Sequence, residues 1–316
     1  MITPVVAGVL RDRRGRVLLA QRPKGKHLAG TWEFPGGKLN PGESPAAGLA
    51  RELTEELGIK VIGSEPLLSL THHYADRSVR LLLREVGAWE GQPVGLESQA
   101  LAWVSLGEAE ALPMPEADRP MLTALALDAR CAISPDPAEL ADIDAFVQSW
   151  EASLEAGFGW VRLRAPSLSA GQFRSLALRC GELARRYGAT WMLETDPEVA
   201  EQLGADGVHL SRDRLHSCRV RPLGPKRIVT ADCQNARDLS LAGRLGLDLV
   251  TLTPQPMVES GSSVPRPPLD WAVLEEMCAD SPLPVLALSD LTAEHLARAR
   301  AAGAFGVAGT ARPAPP

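Results

Sequence analysis

Short apolar runs separated by turn residues open the chain: Val5–Leu10, the turn pair Arg14-Gly15, Val17–Gln21 and, further on, Val79–Arg84. Runs of that length between turn signals predict β-strands. The stretch Pro45–Leu57 breaks the rhythm with a helical period. Ser44 is placed to cap this helix, Pro45 suits its first position, and Gly58 can adopt the left-handed conformation that ends it. At about 100° per residue, Ala46, Ala50, Leu53 and Leu57 share one stripe, predicted to face a core, while Glu52, Glu55 and Glu56 share another.

From about Ala129 the pattern changes. Apolar runs recur between helical stretches at Cys131–Ile133, Trp160–Leu163, Trp191–Leu193, Val208–Leu210, Ile228–Thr230, Leu249–Leu252, Val285–Leu288 and Phe305–Ala308. Eight strands alternating with helices predict a compact (β/α)₈ barrel. The helix after Leu210 has the weakest signal, because Ser211–Pro225 shows little periodicity. The expected organisation is therefore an α/β and α+β two-domain chain. Residues 1–128 carry a mixed sheet and close on a helix at Met121–Leu127, and residues 129–316 form the barrel.

Composition narrows the functional classes. A net charge of −6 on 316 residues argues against a broad grip on nucleic acid, which normally requires a basic face. A small anionic ligand held through a local cation remains compatible with it. The five cysteines (Cys131, Cys180, Cys218, Cys233, Cys278) form no CxxC pair, which fits a reducing, cytoplasmic setting. No apolar run approaches the roughly 18 residues of a membrane span, and no leader pattern opens the chain.

The chemistry concentrates between Gly36 and Ile59, a Gly/Pro-rich loop followed by the capped helix. Three glutamates at helical spacing repel one another, and a divalent cation relieves that cost. Hard oxygen donors with room for water suit Mg²⁺ or Mn²⁺, which commonly share their shell with substrate phosphates. Arg51, four residues before Glu55, is placed to orient that carboxylate. His72 and His73 are adjacent on a strand, point to opposite faces, and are expected to be structural.

The run Gly37-x5-Glu43-x7-Arg51-Glu52-Leu53-x-Glu55-Glu56-x-Gly58-Ile59 resembles the Nudix box at every fixed position. Gln21-Arg22, His27, Trp32-Glu-Phe-Pro-Gly-Gly37, Tyr74-Ala-Asp-Arg77 and Trp89-Glu-Gly-Gln-Pro93 extend the likeness to the MutT branch over residues 3–128. The resemblance implies divalent metal, Mg²⁺ or Mn²⁺, held by Glu52, Glu55, Glu56 and the Gly36 carbonyl, with Glu43 and Arg51 in support. Glu97, in Gly95-Leu-Glu97, is implied as a further ligand or base. Arg22, His27, Phe34, Arg77 and Asp118 fall where the family meets its substrate. MutT has Asn at the position of Asp118, so guanine selectivity is open there. The implied reaction is Mg²⁺-dependent cleavage of an oxidised purine nucleoside triphosphate, 8-oxo-dGTP, to monophosphate and pyrophosphate, in nucleotide-pool sanitation. Two alternatives stand beside it: hydrolysis of a thiamine-related pyrophosphate, and non-catalytic nucleotide sensing.

Ala205-Asp-Gly-Val-His-Leu210, Trp160-Val-Arg-Leu-Arg164 and Gly303-Ala-Phe-Gly-Val-Ala-Gly309 resemble the thiamine phosphate synthase/TenI barrels over about residues 130–312. Where that family has Gln-Leu-Arg-Glu-Lys, this chain has Arg162-Leu-Arg-Ala-Pro166. Arg214 replaces an acidic metal ligand, and Ser289-Asp290 replaces a phosphate-binding Gly-Gly pair. These departures imply a lost or altered synthase activity, leaving a substrate-sensing barrel or a stabilising scaffold. Cys233 lacks a His and base arrangement and is expected to be a buried structural thiol.

Overall fold

The structure, a computed structural model, describes residues 2–253 and 269–311. The chain divides into two compact units: Met1–Ala126 with Cys278–Pro284, and Leu127–Met277 with Val285–Pro316.

In the first unit β1 (Ile2–Leu10), β2 (Val17–Gln21), β3 (Trp32–Glu33) and β4 (Gly36–Lys38) precede α1 (Pro45–Leu57). β5 (Lys60–His73), β6 (Ser78–Glu90), β7 (Leu101–Val104), α2 (Leu106–Glu110) and α3 (Arg119–Leu125) follow. One sheet runs β4-β1-β6-β5 and a smaller one β3-β2-β7. β1 and β6 pair in parallel over the whole of β1, while β4 and β5 join antiparallel, so the larger sheet is mixed. β5 is long but irregular. Its register against β6 shifts at Val61/Gly63, Gly63/Ser64 and Pro66/Leu68.

α1 is bounded as expected: the Ser44 hydroxyl accepts from the Ala47 N–H, and Gly58 adopts φ +67°. Its buried stripe differs from the expectation. Leu49, Leu53 and Leu57 are fully covered, packed with Val6, Leu10, Leu18, Ile59 and Val86, whereas Ala46 is exposed. The helix turns its larger apolar side chains inward, because an alanine methyl contributes little burial energy compared with a leucine. This anchoring leaves the glutamate face directed away from the core.

The second unit is a closed parallel barrel, β8 (Arg130–Ile133), β9 (Trp160–Leu163), β10 (Thr190–Leu193), β11 (Gly207–Leu210), β12 (Ile228–Cys233), β13 (Leu249–Leu252), β14 (Val285–Leu288) and β15 (Gly306–Thr310). β15 closes on β8, so this sheet has no free edge. The connecting helices are α4 (Ile143–Glu155), α5 (Ala170–Arg186), α6 (Pro197–Gln202), α7 (Arg212–Ser217), α8 (Ala236–Arg244), α9 (Trp271–Asp280) and α10 (Ala293–Ala301). α7 spans only 6 residues, which is why the sequence after Leu210 lacks periodicity. Trp191 packs against Gly181 of α5, where a Cβ would meet its indole ring. None of the five cysteines forms a disulfide among the described residues, and no helix among them is long and apolar enough to cross a membrane.

Candidate active site

The carboxylate face of α1 lies along β4, and local geometry sets each group. A Cβ on Gly37 would fall inside van der Waals contact of the Glu52 carboxyl, so the side chain is seated directly on the strand backbone. Gly36 has φ +149°, and any side chain there would strike the Val6 carbonyl of β1. The Gly36 backbone also stands close enough to Glu56 to offset part of the rise in its carboxyl pKa.

Arg51 is the organiser. Its Nε and Nη2 donate to the two Glu43 oxygens, each at 2.9 Å, Nη1 donates to Glu52 Oε1 at 2.9 Å, and Nη2 also donates to the Lys38 carbonyl at 3.0 Å. Glu55, expected from its helical spacing to be the partner, lies further off at 3.5 Å and is 61% exposed. The paired fork to Glu43 outcompetes it, because two parallel charge-assisted bonds fix geometry better than one. These bonds pull the Glu43 carboxyl down to about 2 and raise the Arg51 guanidinium further above its usual range.

Glu56 behaves oppositely. Burial, followed by the negative charges of Glu97, Glu52 and Glu33, pushes its carboxyl up to about 7. Glu97 comes from a loop fastened to the last turn of α1. The Val94 and Leu96 N–H groups donate to the Leu57 and Glu56 carbonyls at 3.0 and 2.9 Å, and the Gln99 amide donates to Glu56 O at 3.0 Å. These bonds satisfy carbonyls that a helix end leaves open. Gln99 Oε1 in turn accepts from the Glu97 N–H at 2.8 Å.

Whether these residues fit a divalent cation follows from the donor set. It consists of hard carboxylate oxygens and a strand backbone, and the burial and mutual repulsion that raise the Glu56 carboxyl are a cost that a cation would relieve. Among the described residues, no three acidic, His or Cys side chains stand within common liganding reach. Two of the carboxylates are engaged elsewhere: Glu52 by Arg51 at 2.9 Å and Glu97 by Lys26 Nζ at 2.5 Å. The oxygens fit the metal once those two ion pairs yield.

Beside the carboxylates lies a second group of side chains. Arg22 pairs with Glu33, and its Nε donates to the His27 carbonyl at 2.7 Å, shaping the loop between β2 and β3. Burial raises the Glu33 carboxyl despite Arg22. Asp118 is 6% exposed. Burial, and then the charge of Glu33, raises its carboxyl well above the ordinary range, which favours the protonated form, a donor as well as an acceptor. Tyr74 stands nearby, edge-on to His72 at 4.4 Å and His27 at 6.3 Å, with the Arg77 guanidinium 5.4 Å from its ring. Phe34, between β3 and β4 in the chain, is 3% exposed and counts among the buried hydrophobic residues. His72 and His73 diverge, His72 reaching toward Glu116 at 3.9 Å and His73 Nδ1 lying 2.7 Å from the Ser78 hydroxyl.

Lys26, Glu33, Tyr74 and Gln99 carry no expected role in the sequence. Tyr74 lies inside the run quoted for Arg77, and Gln99 two residues past Glu97, so proximity to a motif was the available signal.

In the barrel, Arg162 is 5% exposed and His209 fully buried, both among interior strands. Arg162 and Arg164 flank Glu194 at 3.8 and 3.5 Å, and Arg214 pairs with Asp196. His209 lies 2.8 Å from the Thr230 hydroxyl and 3.1 Å from Asp232. Cys233 is fully buried, and burial with Asp238 and Asp232 nearby drives its thiol far above the usual range, as expected of a structural thiol.

The first unit sets a capped helix with a carboxylate face against a mixed sheet, and the same chain carries a (β/α)₈ barrel. The Nudix domain family matches residues 6–124, and the thiamine monophosphate synthase family matches residues 132–312. A CTP pyrophosphohydrolase of Escherichia coli is 42% identical over 120 residues, 38% of this chain and 88% of that protein. An 8-oxo-dGTP diphosphatase of the same organism is 34% identical over 121 residues, 38% and 94% of the two chains. A thiamine-phosphate synthase of Thiobacillus denitrificans is 32% identical over 179 residues, 54% and 81%. The chain belongs to the Nudix family through its first unit and to the thiamine monophosphate synthase family through its second. The first unit is accordingly a hydrolase acting on phosphoric anhydrides.

Proposed function

We propose that the first unit is a Mg²⁺-dependent nucleoside triphosphate pyrophosphohydrolase whose preferred substrate is 8-oxo-dGTP, released as 8-oxo-dGMP and pyrophosphate. One observation carries this reading: the carboxylate cluster of α1, β4 and the Glu97 loop adjoins a group of base-reading side chains, Asp118 and Tyr74, across Glu33 and Arg22. Glu52, Glu55, Glu56, Glu97 and the Gly36 carbonyl would hold the metal. A bound divalent cation supplies Lewis acidity and a water of lowered pKa. Arg51 keeps Glu52 aimed while Glu43 anchors Arg51. Water oxygen bonds to the β-phosphorus, the bond from that phosphorus to the α-bridging oxygen breaks, and Glu97 or Glu56 accepts the water proton. Arg22 and Arg77 lie where phosphate and sugar pass, and His27 and Tyr74 offer faces to the base.

The similarity to a CTP pyrophosphohydrolase supports a second reading, because the protonated form of Asp118, one donor and one acceptor, also matches a cytosine edge. Pyrophosphate release from 8-oxo-dGTP, dGTP, CTP and thiamine diphosphate separates these readings. A kcat/KM that favours 8-oxo-dGTP over dGTP supports the first; equal values, or preference for CTP, overturn it. Asp118→Asn, neutral and still a donor and acceptor, retains the preference. Asp118→Ala narrows it roughly tenfold, the cost of one unpaired edge; an unaltered ratio removes the residue from base recognition.

Glu56 makes metal binding pH-dependent. Its carboxyl holds a proton up to about 7, and the cation needs the ionised form, so binding releases a proton. The apparent Mg²⁺ dissociation constant of the substrate-free protein should rise about tenfold between roughly pH 8 and pH 6. In the metal-free protein the folded-state pKa is raised, so the cost of ionising Glu56 applies above about 7 and fades as pH falls toward its ordinary 4.5. Isothermal titration at several pH values checks this, and a pH-independent affinity would exclude Glu56 as a ligand.

On the barrel, we propose a scaffold role. Its charged mouth residues are largely engaged with one another, Arg162 and Arg164 with Glu194 and Arg214 with Asp196.

A further inference from the structure

Lys26 stands in the exposed loop between β2 and β3, with its ammonium on a carboxylate expected to bind metal. Its Nζ lies 2.5 Å from Glu97 Oε2, 71 residues away in sequence, and both side chains are about half exposed. Glu97 belongs to the loop tied to the Glu56 and Leu57 carbonyls, so the ammonium stands at the edge of the α1 carboxylate cluster.

The two partners are held differently. The loop carrying Glu97 is fastened to α1 by three hydrogen bonds from Val94, Leu96 and the Gln99 side chain. Lys26 depends on a flexible four-carbon stem, and its backbone N–H makes a 3.3 Å bond to the Pro23 carbonyl. When the pair separates, Lys26 moves and Glu97 stays.

We infer that Lys26 is a displaceable counterion that hands Glu97 to the metal and then binds the phosphates of the incoming nucleotide. This rests on the triphosphate reading above. An ammonium and a divalent cation cannot share the same carboxylate oxygen without strong repulsion, so metal binding expels Lys26. The released ammonium remains tethered at the rim, where a phosphate chain bound to the metal brings several negative oxygens within its reach. Lysine suits this exchange because it acts as a mobile point charge rather than a fixed fork.

The inference requires two opposite effects from one substitution. Lys26→Gln should tighten Mg²⁺ binding to the substrate-free protein about two- to fivefold, since an exposed ion pair no longer competes. The same change should raise KM for the triphosphate roughly five- to tenfold, through loss of a charge-assisted phosphate contact, with the loss falling on KM rather than kcat. Lys26→Arg should restore most of the KM. Lys24→Gln removes an equal charge two residues away and should move neither constant.

Isothermal titration of Mg²⁺ into the full-length protein, alongside steady-state kinetics, decides the matter. Unchanged or weaker Mg²⁺ binding in Lys26→Gln overturns displacement, and an unchanged KM overturns the phosphate contact. Equal shifts in Lys24→Gln would reduce both effects to general charge and also overturn it. If the wild-type protein hydrolyses no triphosphate, the functional reading falls, and the Mg²⁺ titration still decides whether Lys26 is displaced.

Discussion

Glu52→Gln is expected to lower kcat by roughly 10²–10³-fold while leaving the fold intact, the scale seen when one preorganised charge-stabilising group is removed. Glutamine keeps the shape that packs against Gly37 and can still accept from Arg51, so neither the strand contact nor the Arg51–Glu43 fork is disturbed. What disappears is the negative charge proposed to hold a divalent cation. The Glu52 carboxylate is 15% exposed, so solvent cannot replace it as readily as it could replace the 61% exposed Glu55. Glu55→Gln should accordingly cost less. Turnover measured across a range of Mg²⁺ concentrations, with circular dichroism as a control for folding, tests the order. Full activity of Glu52→Gln would remove it from the metal shell.

Gly37→Ala is the second large effect, and it acts without touching a charged group. The added methyl would occupy the space of the Glu52 carboxyl, while Gly37 lacks the positive φ that strains an alanine backbone. The carboxylate must swing away, Arg51 loses one partner, and metal and catalysis weaken together. We expect kcat/KM to fall by roughly 10²-fold, because a misplacement of about 1 Å at reacting groups costs that much. Stability should fall by about 1–3 kcal/mol, as for other overpacked sites. Gly36→Ala differs: its Cβ strikes the Val6 carbonyl, so β4 itself must detach from β1. Thermal denaturation beside kinetics separates the two glycines. A Gly37→Ala enzyme with native Mg²⁺ affinity would show that Glu52 need not sit on this strand.

The helix α1 and the barrel strands were legible because their signals are local. Ser44, Pro45 and Gly58 mark α1 within its own sequence, and the barrel's buried strands appear as uninterrupted apolar runs. β5 was not legible. Gly63, Ser64 and Pro66 break its alternation, and the structure absorbs them as shifts in pairing with β6. α3 begins at Arg119 rather than Met121, since Pro120 fits a first turn. The inward stripe of α1 differs from the expected one at its first two members, with Leu49 buried where Ala46 and Ala50 are expected, because spacing alone does not weigh a methyl against a leucine. In the site, the glutamates of α1 could be read from periodicity, yet the partner of Arg51 could not. Glu43 lies in the turn before the helix, where no period applies. Lys26, Glu33 and Asp118 gain meaning only when distant loops meet, and nothing in the spacing of Lys26 and Glu97 announces their contact.

The irregular β5 bears on how the molecule behaves among copies of itself. It is the outermost strand of its sheet and 14 residues long, which in straight form would present a ladder of backbone donors and acceptors to any neighbouring chain. Three changes of register and the missing N–H of Pro66 interrupt that ladder, so a second strand finds no continuous template. The same breaks that hide β5 from sequence patterning thus deny its outer edge the unbroken ladder that pairing with a second strand requires.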